Sequence, residues 1–169
     1  MPIRLIIDGY NLLGVRGGLR GDVEAKREAL IRDLAGYRHR KGHPVTVVFD
    51  GWRSGHPVER AEWREGLEVV YSKQGEQADA VVKRLAEKYG SACAVVSSDH
   101  EIGNFARVHG SLVITSGDFE TRLQVSGARP FARKLEEEEE PVRRDPKKKG
   151  NPKKLPKNLR QKARQLKRF

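Results

Sequence analysis

Three short apolar runs in this chain each stop at an aspartate, and that recurrence limits the possible folds more than any other feature. Ile3-Arg4-Leu5-Ile6-Ile7 runs into Asp8, Val45-Thr46-Val47-Val48-Phe49 into Asp50, and Ala92-Cys93-Ala94-Val95-Val96 through Ser97-Ser98 into Asp99. A continuous apolar run of this length suits a strand covered on both faces, as in a parallel sheet between helices. Leu67 to Tyr71 and Leu112 to Thr115 supply two more such strands.

Helical patterns separate the strands. Asp22 is a good N-cap for a helix from Val23 to about His39, with Val23, Leu30, Ile31, Leu34 and Tyr37 on one stripe. Gln77 to Tyr89 forms a second helix, closed by Gly90. His100 to His109 forms a third, and a last one runs from Ser116-Gly117-Asp118 toward Val125. Leu12 to Gly21 reads as a flexible loop because Gly14, Gly17, Gly18 and Gly21 fall in it. Val58 to Glu65 reads as a polar helical turn around Trp63. The alternation of strand and helix with short connections predicts an α/β fold, a parallel sheet of about five strands with helices on both faces.

Charge divides the chain. The total is +11 over 169 residues, but residues 143–169 hold 13 Lys or Arg against the single acid Asp145, for +12. The remaining 21 basic and 22 acidic side chains leave residues 1–142 at −1. A folded domain over 1–127 and an acidic-then-basic extension over 128–169 follow. The extension reads as disordered or extended, with Leu159, Ala163, Leu166 and Phe169 on one face of a basic helix over 157–169. Such a tail calls for a densely negative partner, RNA or DNA ahead of an anionic membrane surface. Lys147, Lys148, Lys149, Lys153 and Lys154 are its candidate RNA contacts.

Several classes are disfavoured. Cys93 is the single cysteine, in an apolar run, so it reads as a buried structural thiol and leaves no intramolecular disulfide or thiolate zinc cluster. The five histidines form no His-Glu-x-x-His motif, and no Gly-x-Ser-x-Gly elbow is present. Neither a dinucleotide fingerprint nor a P-loop occurs, so no small-molecule organic cofactor is expected. The N-terminal residues show no secretory pattern and no apolar segment approaches the ~20 residues of a membrane span, so a soluble cytoplasmic protein is expected.

In a parallel sheet the carboxyl ends of all strands lie on one edge. With strand order 3-2-1-4-5, Asp50, Asp8 and Asp99 stand side by side across the topological switch point. The helix carrying Asp79 begins on the same edge. Singly, each aspartate is explained by a turn, a cap or the helix dipole. Together they would repel one another unless a cation or shared protons intervene. All-oxygen ligands favour Mg²⁺ or Mn²⁺ over zinc, and such a metal beside a phosphodiester outlines a nuclease site. Asn11 and Ser98 are candidates to orient substrate or ligands. Arg16 and Arg20 in the glycine-rich loop, and Trp52 and Arg53 after the second strand, could meet RNA. So could Tyr10, by stacking on bases, although solvated charge or packing explains each one singly.

Ile7-Asp8-Gly9-Tyr10-Asn11, Phe49-Asp50-Gly51, Ala78-Asp79 and Val96-Ser97-Ser98-Asp99, in that order, resemble the NYN domain of the PIN-like nuclease superfamily, in its YacP-like bacterial branch. The resemblance spans roughly residues 3 to 127 and leaves out the basic tail. It implies a Rossmann-like sheet of order 3-2-1-4-5 and a metal-dependent endoribonuclease acting on single-stranded RNA, with ribosome-associated mRNA cleavage as its setting. It further implies Asp8, Asp79 and Asp99 as metal-binding acids with Asn11 beside them. Asp50 matches an acid at the end of the second strand, and the further acid of PIN nucleases falls on Glu101 or Asp118. The alternatives are a non-catalytic RNA- or ribosome-binding module using the basic tail, and a metal-dependent phosphohydrolase of small nucleotides.

Overall fold

A computed structural model describes residues 2–51, 57–127 and 169. The chain divides at Gly127 into two units, Met1–Gly127 and Ala128–Phe169, and the first carries the elements that follow. They are β1 (Arg4–Asp8), α1 (Gly9–Val15), α2 (Val23–Lys41), β2 (Val45–Phe49), β3 (Arg60–Arg64), β4 (Leu67–Tyr71), α3 (Ala78–Tyr89), β5 (Cys93–Val96), α4 (His100–Val108), β6 (Leu112–Ile114) and α5 (Ser116–Gly127).

The six strands of the described residues form one sheet in the order β3-β4-β2-β1-β5-β6. All pairs are parallel except β3 with β4. Without β3, this is the expected five-stranded order. The chain leaves β1 toward β2 and β4, then returns to β5 on β1's other side, so the switch point lies between β1 and β5.

Alternation along each strand sends side chains to two helical layers. Ile6, Val48, Val70 and Val95 pack with Val81, Val82 and Ala86 of α3 and Ile102 and Ala106 of α4. Leu5, Ile7, Val47 and Val69 turn to the opposite face, where α2 and α5 supply Leu30, Ile31, Leu34, Tyr37 and Phe119, all fully buried. Tyr37 meets Phe119 edge to face at 5.2 Å across this second layer. Burying each such side chain stabilises the fold by about 1.5–3 kcal/mol.

Two local readings are corrected. Residues 60–64 form an antiparallel edge strand, not a helical turn. A two-residue connection, Glu65 and Gly66 with φ of 51° and 81°, has the positive dihedrals of a tight hairpin. The glycine-containing segment after Asn11 is not all loop, because α1 occupies Gly9–Val15. Leu12 and Leu13 are buried and hold that short helix against the domain despite two glycines of low helix propensity. Among the described residues, no helix is long and apolar enough to cross a membrane.

Candidate metal-binding active site

The four aspartates reach the carboxyl edge from four places, and in each Oδ1 accepts from a backbone N–H. Asp8 ends β1 and caps α1, its Oδ1 accepting from the Asn11 N–H at 3.2 Å. Asp99 caps α4 through Oδ1, which accepts from the N–H groups of Glu101 at 2.7 Å and Ile102 at 3.1 Å. Asp50 reaches from the end of β2 to the start of α3, where its Oδ1 accepts from the Ala78 N–H at 2.5 Å. It substitutes for Gln77, which occupies the N-cap position without a side-chain cap bond. Asp79 sits in the first turn of α3, with Oδ1 on the Ala80 N–H at 2.8 Å and Oδ2 3.6 Å from Lys83 Nζ. The turn-and-cap account of these residues therefore holds at each Oδ1.

Strand parity aims the first two. Asp8 and Asp50 alternate in phase with Ile6 and Val48, so they turn to the α3/α4 face, where Asp79 and Asp99 begin their helices. All four line one pocket of about 360 Å³ together with Tyr10 and Asn11. The Asp8 carboxyl is pushed up to about 6 from an ordinary 3.8. Burial is the main cause, opposed by the Asn11 amide bond and reinforced by the charges of Asp50, Asp79 and Asp99. Among the described residues, no three Asp, Glu, His or Cys side chains stand close enough to enclose a metal ion. The oxygen donors and mutual repulsion fit a hard divalent cation that keeps much of its water and touches one or two carboxylates, the usual habit of Mg²⁺. They do not form a closed cage.

Close packing requires two glycines here. A Cβ on Gly9 would lie 2.3 Å from the Phe49 ring, and one on Gly51 would lie 1.6 Å from the Ser72 carbonyl oxygen. Gly9 therefore serves close approach to β2 and starts α1, rather than supplying a left-handed turn. Beside it, Asn11 Oδ1 accepts from the Ser98 N–H at 2.9 Å and from Ser116 Oγ at 2.6 Å, joining α1 to the strand ends opposite.

The remaining candidates scatter. Arg16 is engaged internally, its guanidinium bonding Glu120 at 2.7 Å and Asp33 at 2.9 Å, so it braces α1 against α2 and α5 instead of facing a phosphate. Tyr10 is buried edge to face against Phe49 at 5.2 Å and is not open to a stacking base. Arg20 is exposed, and its carbonyl accepts from Lys26 Nζ. Glu101 is paired with Lys83, and exposed Asp118 lies outside the pocket lining. Cys93 is buried against Ser111, and burial pushes its thiol up, as a structural cysteine requires. Trp52, Arg53, Lys147, Lys148, Lys149, Lys153, Lys154 and the 157–169 helix lie outside the described residues, Phe169 excepted. Sequence reasoning missed Lys83 and Ser116. The i, i+4 spacing of Asp79 and Lys83 could have revealed the first. Ser116 had no signal, because its partner Asn11 is 105 residues away.

A family model described as the YacP-like NYN domain matches residues 5–168. The match runs through the basic tail, well beyond the 3–127 spanned by the motifs. A Bacillus subtilis (strain 168) relative named "Uncharacterized protein YacP" is 30% identical over 103 residues, which are 57% of this chain and 60% of the relative's length. The crystal structure of Rae1 (YacP) from Bacillus subtilis has a TM-score of 0.61 at 26% identity, over 80% of each chain. A point variant of Rae1 gives 0.60 at 25%, over 73% of this chain and 76% of its own. The motifs, the strand order with its acid-lined switch point, and the family match over most of the length agree: this chain belongs to the YacP-like NYN family, a family of nuclease-like domains.

Proposed function

We propose that the pocket is the active centre of a divalent-cation-dependent endoribonuclease that cuts single-stranded RNA in the cytoplasm, with ribosome-associated mRNA as its target. The observation that carries the reading is the convergence of Asp8, Asp50, Asp79 and Asp99 on one pocket at the switch point. Asp8, Asp79 and Asp99 would hold a hydrated Mg²⁺ or Mn²⁺, one or two directly and the rest through its water, with Asp50 locking the start of α3 so that Asp79 stays on the edge. When bound, such a cation neutralises charge on a phosphodiester and lowers the pKa of a coordinated water. Asn11 orients the substrate strand, and the basic tail adds affinity that does not depend on sequence.

The test is cleavage of a labelled single-stranded RNA in Mg²⁺ or Mn²⁺ by the wild type, Asp8→Asn and Asp99→Asn. Loss of about 100-fold or more in each variant is expected, and equal cleavage by all three overturns the reading. A second reading is favoured by the +12 of residues 143–169 alone: an RNA- or ribosome-binding module without catalysis. It predicts cosedimentation with ribosomes that needs the tail and is indifferent to Asp8 and Asp99, with no cleavage.

A further inference from the structure

We infer that Asn11 serves this pocket as a hydrogen-bond donor, not as a cation ligand, and that Ser116 is the positioning residue that keeps it so. The inference rests on the nuclease reading for what receives the bond, a phosphate oxygen of bound RNA. The orientation of the carboxamide follows from its partners. The Ser98 N–H donates to Asn11 Oδ1 at 2.9 Å, and a backbone amide can only donate, so the atom facing it is oxygen. The Ser116 hydroxyl donates to the same oxygen at 2.6 Å. Both lone pairs of Oδ1 are thereby used, and none is left for a metal.

The amide nitrogen is then the chemically available end. It has no protein partner among the described residues, and the side chain lines the pocket beside four carboxylates. An anionic phosphate entering an acid-lined site gains from a neutral donor that adds no negative charge. Ser116 is wholly buried at the start of α5, and its own N–H donates to Ser98 Oγ at 3.1 Å. Two serines and Asn11 thus close a small network among α1, the β5–α4 connection and α5. Without the Ser116 hydroxyl, Asn11 is held by one bond and can swing.

Asn11→Asp is the discriminating variant. It keeps an acceptor for both donors, but replaces the amide nitrogen with the oxygen of a fifth carboxylate. The expected result is a loss of about 100-fold in kcat/KM, whereas a ligand through oxygen would survive this change. In calorimetric titration with Mn²⁺ alone, Asn11→Ala should bind the ion within about twofold of wild type if Asn11 only donates. A tenfold weakening there overturns the inference. For Ser116→Ala, kcat should fall about tenfold with KM within about twofold. The Asn11 side-chain NH₂ signal in a ¹H–¹⁵N spectrum, identified by its absence in Asn11→Asp, should also move in Ser116→Ala. In the wild type that same signal should shift when a short single-stranded RNA is added, and a signal that RNA leaves unmoved overturns the inference. If Asp8→Asn abolishes cleavage and Asn11→Asp does not, the donor role is wrong and the nuclease stands. If the wild type never cleaves RNA but the signal shifts, the nuclease reading is wrong and the donor role stands.

Discussion

Burial and the charges of Asp50, Asp79 and Asp99 push the Asp8 carboxyl up to about 6, so the fold holds its proton more firmly than the unfolded chain does. Stability contributed by this group is complete below the ordinary value of 3.8 and is lost as pH rises through about 6. The penalty above that window is up to about 3 kcal/mol, at about 1.4 kcal/mol per unit. Asp8→Asn removes the charge and keeps a good N-cap for α1. Denaturant unfolding should find the variant more stable than wild type at pH 7.5 and no more stable at pH 3.5, while cleavage is lost. A variant no more stable than wild type at either value would show that neither burial nor the neighbouring charges raise the Asp8 carboxyl. Gly51 makes a steric prediction. A methyl group there meets the Ser72 carbonyl oxygen, which belongs to the backbone and cannot move aside cheaply. Gly51→Ala should cost about 3 kcal/mol or more in unfolding free energy. Asp8 and Asp50 were legible in the sequence because each directly ends an apolar run. The need for glycine after them was legible as a pattern, but its cause, the Phe49 ring and the Ser72 carbonyl, was not.

At the scale of elements, capping and chemistry coincide in Asp99, and the two can be separated. Asp99→Ala loses the cap of α4 and should cost about 1 kcal/mol, whereas Asp99→Asn retains the cap and should leave the melting temperature almost unchanged. Both should abolish cleavage, so comparison of the two isolates the charge from the cap. The edge strand β3 behaves differently. Trp63 is 73% exposed, and Trp63→Ala should change stability by less than about 0.5 kcal/mol. Leu67→Ala in the adjoining β4, fully buried, should cost about 2–5 kcal/mol. That contrast explains why β4 was legible and β3 was not. Arg60-Ala61-Glu62-Trp63-Arg64 buries no side chain fully, so it has no hydrophobic signature, and its conformation is set by pairing with β4 across the hairpin. The helix α1 escaped for a related reason. Its local propensity is poor, and the bonds of Arg16 to Glu120 and Asp33 stabilise it from distant parts of the chain.

For the whole molecule, charge separation predicts two independent behaviours. On the proposed function, the acids of the pocket should set cleavage and the 13 cations of residues 143–169 should set salt-dependent affinity. Binding of single-stranded RNA, followed by anisotropy over a range of salt, should show a steep slope that flattens when residues 143–169 are deleted and stays steep in Asp8→Asn. A slope unchanged by the deletion would remove the tail from RNA binding. The sequence by itself determined the class of fold and its acidic edge. Apolar runs alternating with helical segments suit a parallel sheet covered on both faces, and a strand's last residue must lie at the sheet's edge. Only the tertiary structure decided what the edge residues do. Whether an aspartate caps a helix, shares a pocket or does both depends on strand parity and on amides brought in from other elements, as with Asp50 and Ala78. Which end of Asn11 faces the pocket depends on Ser116, 105 residues along the chain, and no local pattern encodes a contact at that range.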